Sequence, residues 1–354
     1  MPSILRQYRT HDDILGVWHI PNQKVLWSNS GLEKNGSWYY IKTNSTGIRD
    51  EREFSTIKKE GFHRILLFGD SYTFGSGIDV KYRYSNRLEA KIKNLEIINF
   101  GIGSSGIDQQ YLIYKHFGFD YKADILMINP YLNNIARATA PYSFSQDRNG
   151  KILIVPKPYF IIENNQLTLK NNPVPKPSYM KDKHSIERNK NQFGQHLLGV
   201  NPNRKVNMLV KKYFLQTNYK YWFIKLFPIQ PYPEYSSHNH PYWILGKMIL
   251  EKFIAASRQK IVIITPLPSW SVIMNPKLGL YMDRFYELHN PDKKIIVINI
   301  LPYFLKLTFN ERTKCFNSKY DHHYSELGNK VVAEGLFTEL NKFKIINKSS
   351  EVII

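Results

Sequence analysis

Short continuous apolar runs organise the middle of the chain. RILLFG (64–69), LEIINFG (95–101) and ADILMINP (123–130) each end in a turn residue. That is the pattern of a strand buried on both faces. Between them, 82–92 and 108–117 carry helix-like spacing. Strand, helix, strand, helix, strand at this spacing predicts a parallel sheet with right-handed crossovers. The texture returns at 243–259, an amphipathic helix, followed by strand candidates IVIITPL (261–267) and IIVINI (295–300). A closing helix is predicted at 326–343, where Leu327, Val331, Val332, Leu336, Leu340 and Phe343 keep a helical stripe. The expected class is α/β: three α/β/α layers on a central parallel sheet of about five strands.

Two regions stand outside this pattern. Residues 1–60 read as a β-rich extension, because VLWSNSG and SWYYIKTNSTGIRD alternate aromatic or β-branched with polar positions. Residues 141–242 hold PVPKP, PIQPYP and short strand candidates KILIVP and LTLK. They read as an insertion or lid that divides the core into 61–140 and 243–345. No fixed-period repeat is evident.

Composition narrows the class. The 354 residues are 42% hydrophobic and 14% aromatic, which excludes wholesale disorder. A single cysteine, Cys315, excludes an internal disulfide framework and a cysteine-built zinc site. The first residues, MPSILRQYRTHDDILGVW, have charges where a secretory signal needs an apolar run. The longest apolar stretch, 295–307, is broken at Pro302 and too short to span a bilayer. A cytoplasmic location, or one peripheral to the envelope, is expected. The net charge of +20 points first to nucleic acid or an anionic surface. However, residues 141–240 hold 15 Lys+Arg against 5 Asp+Glu, a net of +10. Half of the excess therefore lies in the insertion, including Lys211 and Lys212. It reads as a lid facing an acidic glycan or anionic lipid headgroups, or as a Lys-rich composition. No helix-turn-helix, zinc-finger or RNA-recognition signature accompanies it, so nucleic acid is not the expected partner.

In an open parallel sheet, chemistry collects on the loops leaving the carboxyl ends of strands. GDSYTFGSG (69–77) puts Ser71 on a strand-to-helix turn, as a nucleophile or as a capping serine in a polar turn. NFGIGSSG (99–106) spells G-x-G-x-x-G. It suits a dinucleotide loop, with Asp120 or Asp124 near the ribose position, or an oxyanion loop, or a plain turn. In INPYLNNIARA, Asn133 and Asn134 follow a strand end, as an oxyanion donor or an Asn turn. In YDHHYSELGNK, Asp321 and His323 are two apart and project together if the loop is extended. The carboxylate then reaches Nδ1 and leaves Nε2 free as a base. A metal pair and a solvated loop are the alternatives. His238 and His240 share ligand-like spacing in a proline-rich loop, a weak metal signal.

Taken in order, GDSYTFGSG, NFGIGSSG, LNN and DHHYSELGNKVVAE resemble the SGNH/GDSL hydrolase family, chiefly its larger bacterial members. The resemblance covers 63–139 and 243–343. It implies that Ser71 is the nucleophile, His323 the general base and Asp321 its orienting acid. It also implies an oxyanion hole from the Ser71 N–H, the Gly103 and Ser104 backbone, and Asn133. Three positions depart from the family pattern. Asn134 stands where Asp is usual, Ser104 where Gly is usual, and Asp321 is two rather than three residues before His323. The implied activity is a serine esterase without cofactor, acting through an acyl-enzyme on O-acetyl or other short acyl groups of a carbohydrate. O-acyl transfer to a glycan, a lipase or lysophospholipase-type esterase, and a non-catalytic glycan-binding module are the alternatives.

Overall fold

The computed structural model describes residues 8–28, 38–146, 152–179, 232–258, 260–318, 321–346 and 352. Lys211, Lys212 and most of the basic insertion lie outside the described residues.

Four short strands come first: β1 (Arg9–Asp12), β2 (Gly16–His19), β3 (Lys24–Ser28) and β4 (Trp38–Lys42). They pair as two antiparallel hairpins, β1–β2 and β3–β4. The core strands are β5 (His63–Gly69), β6 (Leu95–Asn99) and β7 (Ile125–Asn129). Within the insertion are β8 (Tyr142–Gln146), β9 (Ile152–Pro156), β10 (Tyr159–Glu163), β11 (Gln166–Lys170) and β12 (Ser178–Tyr179). The core resumes with β13 (Ile261–Ile264) and β14 (Ile295–Val297). The central sheet runs β14-β13-β7-β5-β6, and every pairing in it is parallel. All five predicted strands are therefore present in one sheet; β5 ends at Gly69 with its run, and the other four end earlier than theirs. β13 stops at Ile264, and 265–267 continue as a loop joined to Tyr131 by one parallel bridge through Leu267.

Helices cover both faces. On one side, α3 (Ile107–Ile113) and α5 (Pro241–Ala256) pack together, and Phe253 of α5 meets Phe68 of β5 edge-on. On the other, α2 (Tyr84–Glu89) packs against α10 (Glu326–Lys342). The short helices are α1 (Ser71–Phe74), α4 (Asn134–Arg137), α6 (Trp270–Met274), α7 (Tyr281–Tyr286), α8 (Leu301–Leu305) and α9 (Phe309–Lys314). The predicted helix at 82–92 is shorter than its pattern, because Arg83 adopts an extended conformation that separates a 3₁₀ turn from α2. Among the described residues, no helix is long and apolar enough to cross a membrane.

The N-terminal extension supports the core directly. The buried guanidinium of Arg49 donates to the carbonyls of Phe74 at 2.9 Å, Gly75 at 2.7 Å and Ile78 at 2.7 Å. The Phe74 and Gly75 carbonyls lie where α1 ends, and Ile78 is in the turn that follows. A cation from the extension thus closes the C-terminus of the helix that carries Ser71. The insertion is tied down by a buried ion pair between Lys157, just after β9, and Asp108 of α3. Burial pushes the Asp108 carboxyl up and the Lys157 ammonium down, each held in part by the other's charge.

Candidate active site

The sheet order places β5 between β6 and β7, so the chain leaves β5 in one direction and returns on the other side. Loops after β5 and β7 therefore part from each other, which opens a crevice at the carboxyl edge. Register aligns the two strands, with Gly69 opposite Asn129. The loops carrying Ser71 and Asn133 begin at the same level.

Ser71 is the first residue of α1, where the sequence suggested a helix starting later. Its hydroxyl does not cap the helix. Asp70 does, accepting the Tyr72 N–H at 3.0 Å. The Ser71 side chain is left to turn outward, and its Oγ lies 2.8 Å from Nε2 of His323. Nδ1 of His323 lies 2.5 Å from Oδ1 of Asp321. The His323 backbone N–H donates to the same oxygen at 3.2 Å. The two-residue spacing thus projects both side chains to one side, as an extended loop requires. His322, between them, faces away and stacks on Trp270 at 5.0 Å.

A hairpin-like loop delivers this pair. Phe316 bridges Tyr324, and the Asn317 N–H donates to the His323 carbonyl at 2.9 Å. Asn317 Nδ2 then donates to Asp321 Oδ2 and to the Ser76 carbonyl, both at 3.2 Å. One amide thereby ties the acid to the loop after the nucleophile. Sequence reasoning missed Asn317. Its only signal is its position four residues before Asp321.

The oxyanion candidates divide. The backbone N–H groups of Ser71, Gly103 and Ser104 donate to no partner among the described residues. Asn133 is half-buried, and its side chain likewise makes no hydrogen bond there. Asn134 is fully buried and structural: it donates to Asp70 Oδ2 at 3.0 Å and accepts from Gln110 at 2.9 Å and the Tyr131 N–H at 3.0 Å. The pair is therefore not a simple Asn turn. Ser104 has φ of 71°, the left-handed conformation that glycine prefers.

Other candidates fall elsewhere. Gly101 packs where a side chain would strike the Thr73–Phe74 backbone, so its role is close approach to α1. Asp124 pairs with Lys58 at 2.6 Å and accepts the Arg64 N–H, next to the amino ends of β5 and β7 and opposite the crevice. Asp124 therefore does not fit a ribose site after β6. His240 accepts the Tyr242 N–H at 3.3 Å as the cap of α5. Among the described residues, no group of three or more ligand-type side chains could hold a metal.

Sequence reasoning also missed the surroundings of the dyad. Arg137 of α4 donates to Asp70 Oδ2 at 2.6 Å. Tyr72 stacks on Tyr131 at 4.3 Å, tilts against His323 at 5.1 Å and donates to the His322 carbonyl at 2.7 Å. Burial holds both phenols well above their ordinary range, so they remain neutral. A serine hydroxyl, an imidazole oriented by a carboxylate and a cluster of undirected N–H groups together can activate an oxygen nucleophile and receive a developing oxyanion.

No family model matches the chain, and no curated protein does. Solved structures of similar shape include a lipolytic protein of the G-D-S-L family from Veillonella parvula, at 12% identity and a TM-score of 0.40, covering 79% of this chain and 98% of that one. A lipase/acylhydrolase from Enterococcus faecalis matches at 10% identity and a TM-score of 0.41, covering 79% and 95%. A catalytic mutant of an acetylxylan esterase from Geobacillus stearothermophilus matches at 10% identity and a TM-score of 0.39, covering 80% and 97%.

Proposed function

We propose that the chain is a serine esterase of the SGNH/GDSL type. The observation that carries this reading is the unbroken line from Ser71 Oγ to His323 Nε2 at 2.8 Å and from His323 Nδ1 to Asp321 at 2.5 Å. Identities of 10–12% and TM-scores near 0.4 add nothing to it.

In the forward step, Ser71 Oγ attacks the ester carbonyl carbon and its proton passes to His323 Nε2. The carbonyl π electrons move onto oxygen, and the Ser71, Gly103 and Ser104 N–H groups with Asn133 Nδ2 receive that charge. Collapse expels the alkoxide, which takes the proton from Nε2 and leaves an acyl-serine. Water then attacks the acyl carbon, losing its proton to Nε2, and collapse breaks the bond to Ser71 Oγ, which takes that proton back from Nε2 as the carboxylic acid leaves. Asp321 holds the ring so that Nδ1 carries the proton and Nε2 can accept one.

The substrate we favour is an O-acetyl or other short acyl group on a carbohydrate. Half-buried Tyr131 and Trp270 support it, because their rings stack on Tyr72 and His322 and so put aromatic surface next to the neighbours of Ser71 and His323. The test is a fluorophosphonate probe followed by an aryl ester panel of increasing acyl length. Labelling of the wild type but not of Ser71→Ala, with a short-chain optimum, is expected. Equal labelling of both proteins would refute the assignment of Ser71, and a long-chain optimum would refute the short acyl group.

A further inference from the structure

The edge of the sheet away from Ser71 carries its own cluster of charge. The core strands are all parallel, so the residues just before them share one edge. Register sets Ile261 beside Ile125, and Val262 beside Ile295. Asp124, Lys260 and Lys294 immediately precede β7, β13 and β14. They therefore stand in one row on three neighbouring strands, which lie about 5 Å apart. A cavity of about 250 Å³ opens along this row, and its titratable lining is His63, Asp124, Arg258, Lys260 and Lys294.

Three of these cations have no anion. Asp124, the one carboxylate lining the cavity among the described residues, is taken by Lys58 at 2.6 Å, with His63 Nδ1 at 3.8 Å. Arg258, Lys260 and Lys294 form no ion pair among the described residues. Lys260 donates to the Ser257 carbonyl at 3.3 Å, and Arg258 rests over the Phe119 ring at 4.5 Å. Both contacts position a cation without neutralising it. The arrangement is costly in two ways. Burial first, and then the Arg258 charge, push the Lys260 ammonium down, while Asp124 acts in the other direction. Arg258 and Lys294 also hold left-handed φ angles of 52° and 59°, which glycine adopts more readily. A solvated basic face requires neither like charges on adjacent strands nor long cationic side chains at glycine-type positions.

Lys58 and Asp124 cancel, so the cavity presents three positive charges. One phosphate monoester carries only about 1.5 to 2 negative charges. A diphosphate group balances three cations better. The volume lies just below the usual range for small-molecule sites, which favours a compact anion over a large one. A guanidinium fork suits paired phosphate oxygens, and ammonium groups add point charges beside it. We propose that Arg258, Lys260 and Lys294 form a binding site for a diphosphate group, either the free ion or the end of a small molecule such as a nucleoside diphosphate. The site lies on the opposite edge of the sheet from Ser71 and does not rest on the esterase reading.

Calorimetric titration of the full chain at fixed ionic strength tests it, with pyrophosphate, ADP, inorganic phosphate and sulfate. Pyrophosphate should bind saturably at one site, at least tenfold tighter than phosphate or sulfate. ADP separates the two sources: tighter than pyrophosphate, it marks a diphosphate carried by a small molecule, and weaker, it marks the free ion. Arg258→Gln combined with Lys294→Gln should weaken pyrophosphate at least tenfold. Arg258→Lys combined with Lys294→Arg should retain most of the affinity. Pyrophosphate that binds no better than sulfate, or a double Gln variant that binds it as the wild type does, would overturn the proposal. A second measurement needs no variant: amide hydrogen exchange of the wild type with and without pyrophosphate. Slower exchange around Lys260 and Lys294 is expected. Slowing that is absent there, or confined to other segments, would equally overturn the site.

Discussion

Arg137 Nη1 donates to Oδ2 of Asp70 at 2.6 Å, and the other oxygen of that buried carboxylate receives the Tyr72 N–H at 3.0 Å. The loop after β7 therefore braces the first turn of the helix that begins at Ser71. Removing the cation leaves Asp70 fully buried with Asn134 and one backbone N–H as its remaining donors. Arg137 is one-third exposed, so the full cost of breaking a buried pair is discounted. Arg137→Ala should lose about 1–3 kcal/mol in urea denaturation. It should also slow phosphonate labelling of Ser71, because the cap that orients the turn is weakened. Stability unchanged within a few tenths of a kcal/mol would show that solvent screens the pair completely.

His323 depends on a different contact. Asp321 Oδ2 is already occupied by the Asn317 amide at 3.2 Å, so an Asn at 321 would turn its own oxygen toward Asn317 and its NH₂ toward Nδ1. That places the imidazole proton on Nε2, where it blocks abstraction from Ser71. Asp321→Asn should lower kcat on an activated ester by about 10³–10⁴-fold with little change in KM. A loss of less than tenfold would mean that Asp321 does not set the tautomer.

Ser104 pays for its place in backbone conformation. A left-handed φ costs a residue with a side chain about 1–2 kcal/mol, while glycine there brings roughly 0.5–1 kcal/mol of extra chain entropy. The difference favours Ser104→Gly by up to about 1 kcal/mol. The same substitution keeps the backbone N–H, which has no partner among the described residues, so turnover should hold. Ser104→Val, with a branched side chain at positive φ, should be clearly destabilised and slower. Equal melting curves for the Gly and Val proteins would remove the strain argument.

The sheet was legible because a strand buried on both faces writes itself as an unbroken apolar run, as RILLFG does. The dyad was legible because an i, i+2 spacing in an extended loop fixes which side chains meet. What brought distant segments together was not. Arg49, Arg137 and Asn317 each act on the nucleophile turn from 22 to 246 residues away from Ser71 in sequence. A single arginine or asparagine in a loop has no period and no spacing to distinguish it from a solvated residue. Asn133 and Asn134 show the limit from the other side. Adjacent and chemically identical, they separate into an undirected amide and a buried strut only once the α4 turn is built.

Glu234 lies in the turn Pro233–Tyr235, 3% exposed, with Oε1 buried and unpartnered among the described residues. Its neighbours tie this turn to the loop beside the dyad: Tyr235 donates to the Leu132 carbonyl at 2.7 Å, and the Tyr232 and Tyr131 hydroxyls meet at 3.3 Å. Burial pushes the Glu234 carboxyl up to about 7 from its ordinary 4.5. Between those values the folded chain keeps a proton that the unfolded chain has lost. Stability from this group is therefore complete below about pH 4.5, declines as pH rises toward 7 and is flat above it. The shift corresponds to about 3 kcal/mol. Glu234→Gln keeps the shape and cannot ionise, so its advantage over the wild type should be near zero at pH 4.5 and grow to a few kcal/mol by pH 8. Urea denaturation of both proteins across that range measures it. Parallel curves would show that Glu234 is solvated when charged, and that the turn beside Tyr131 opens at no cost.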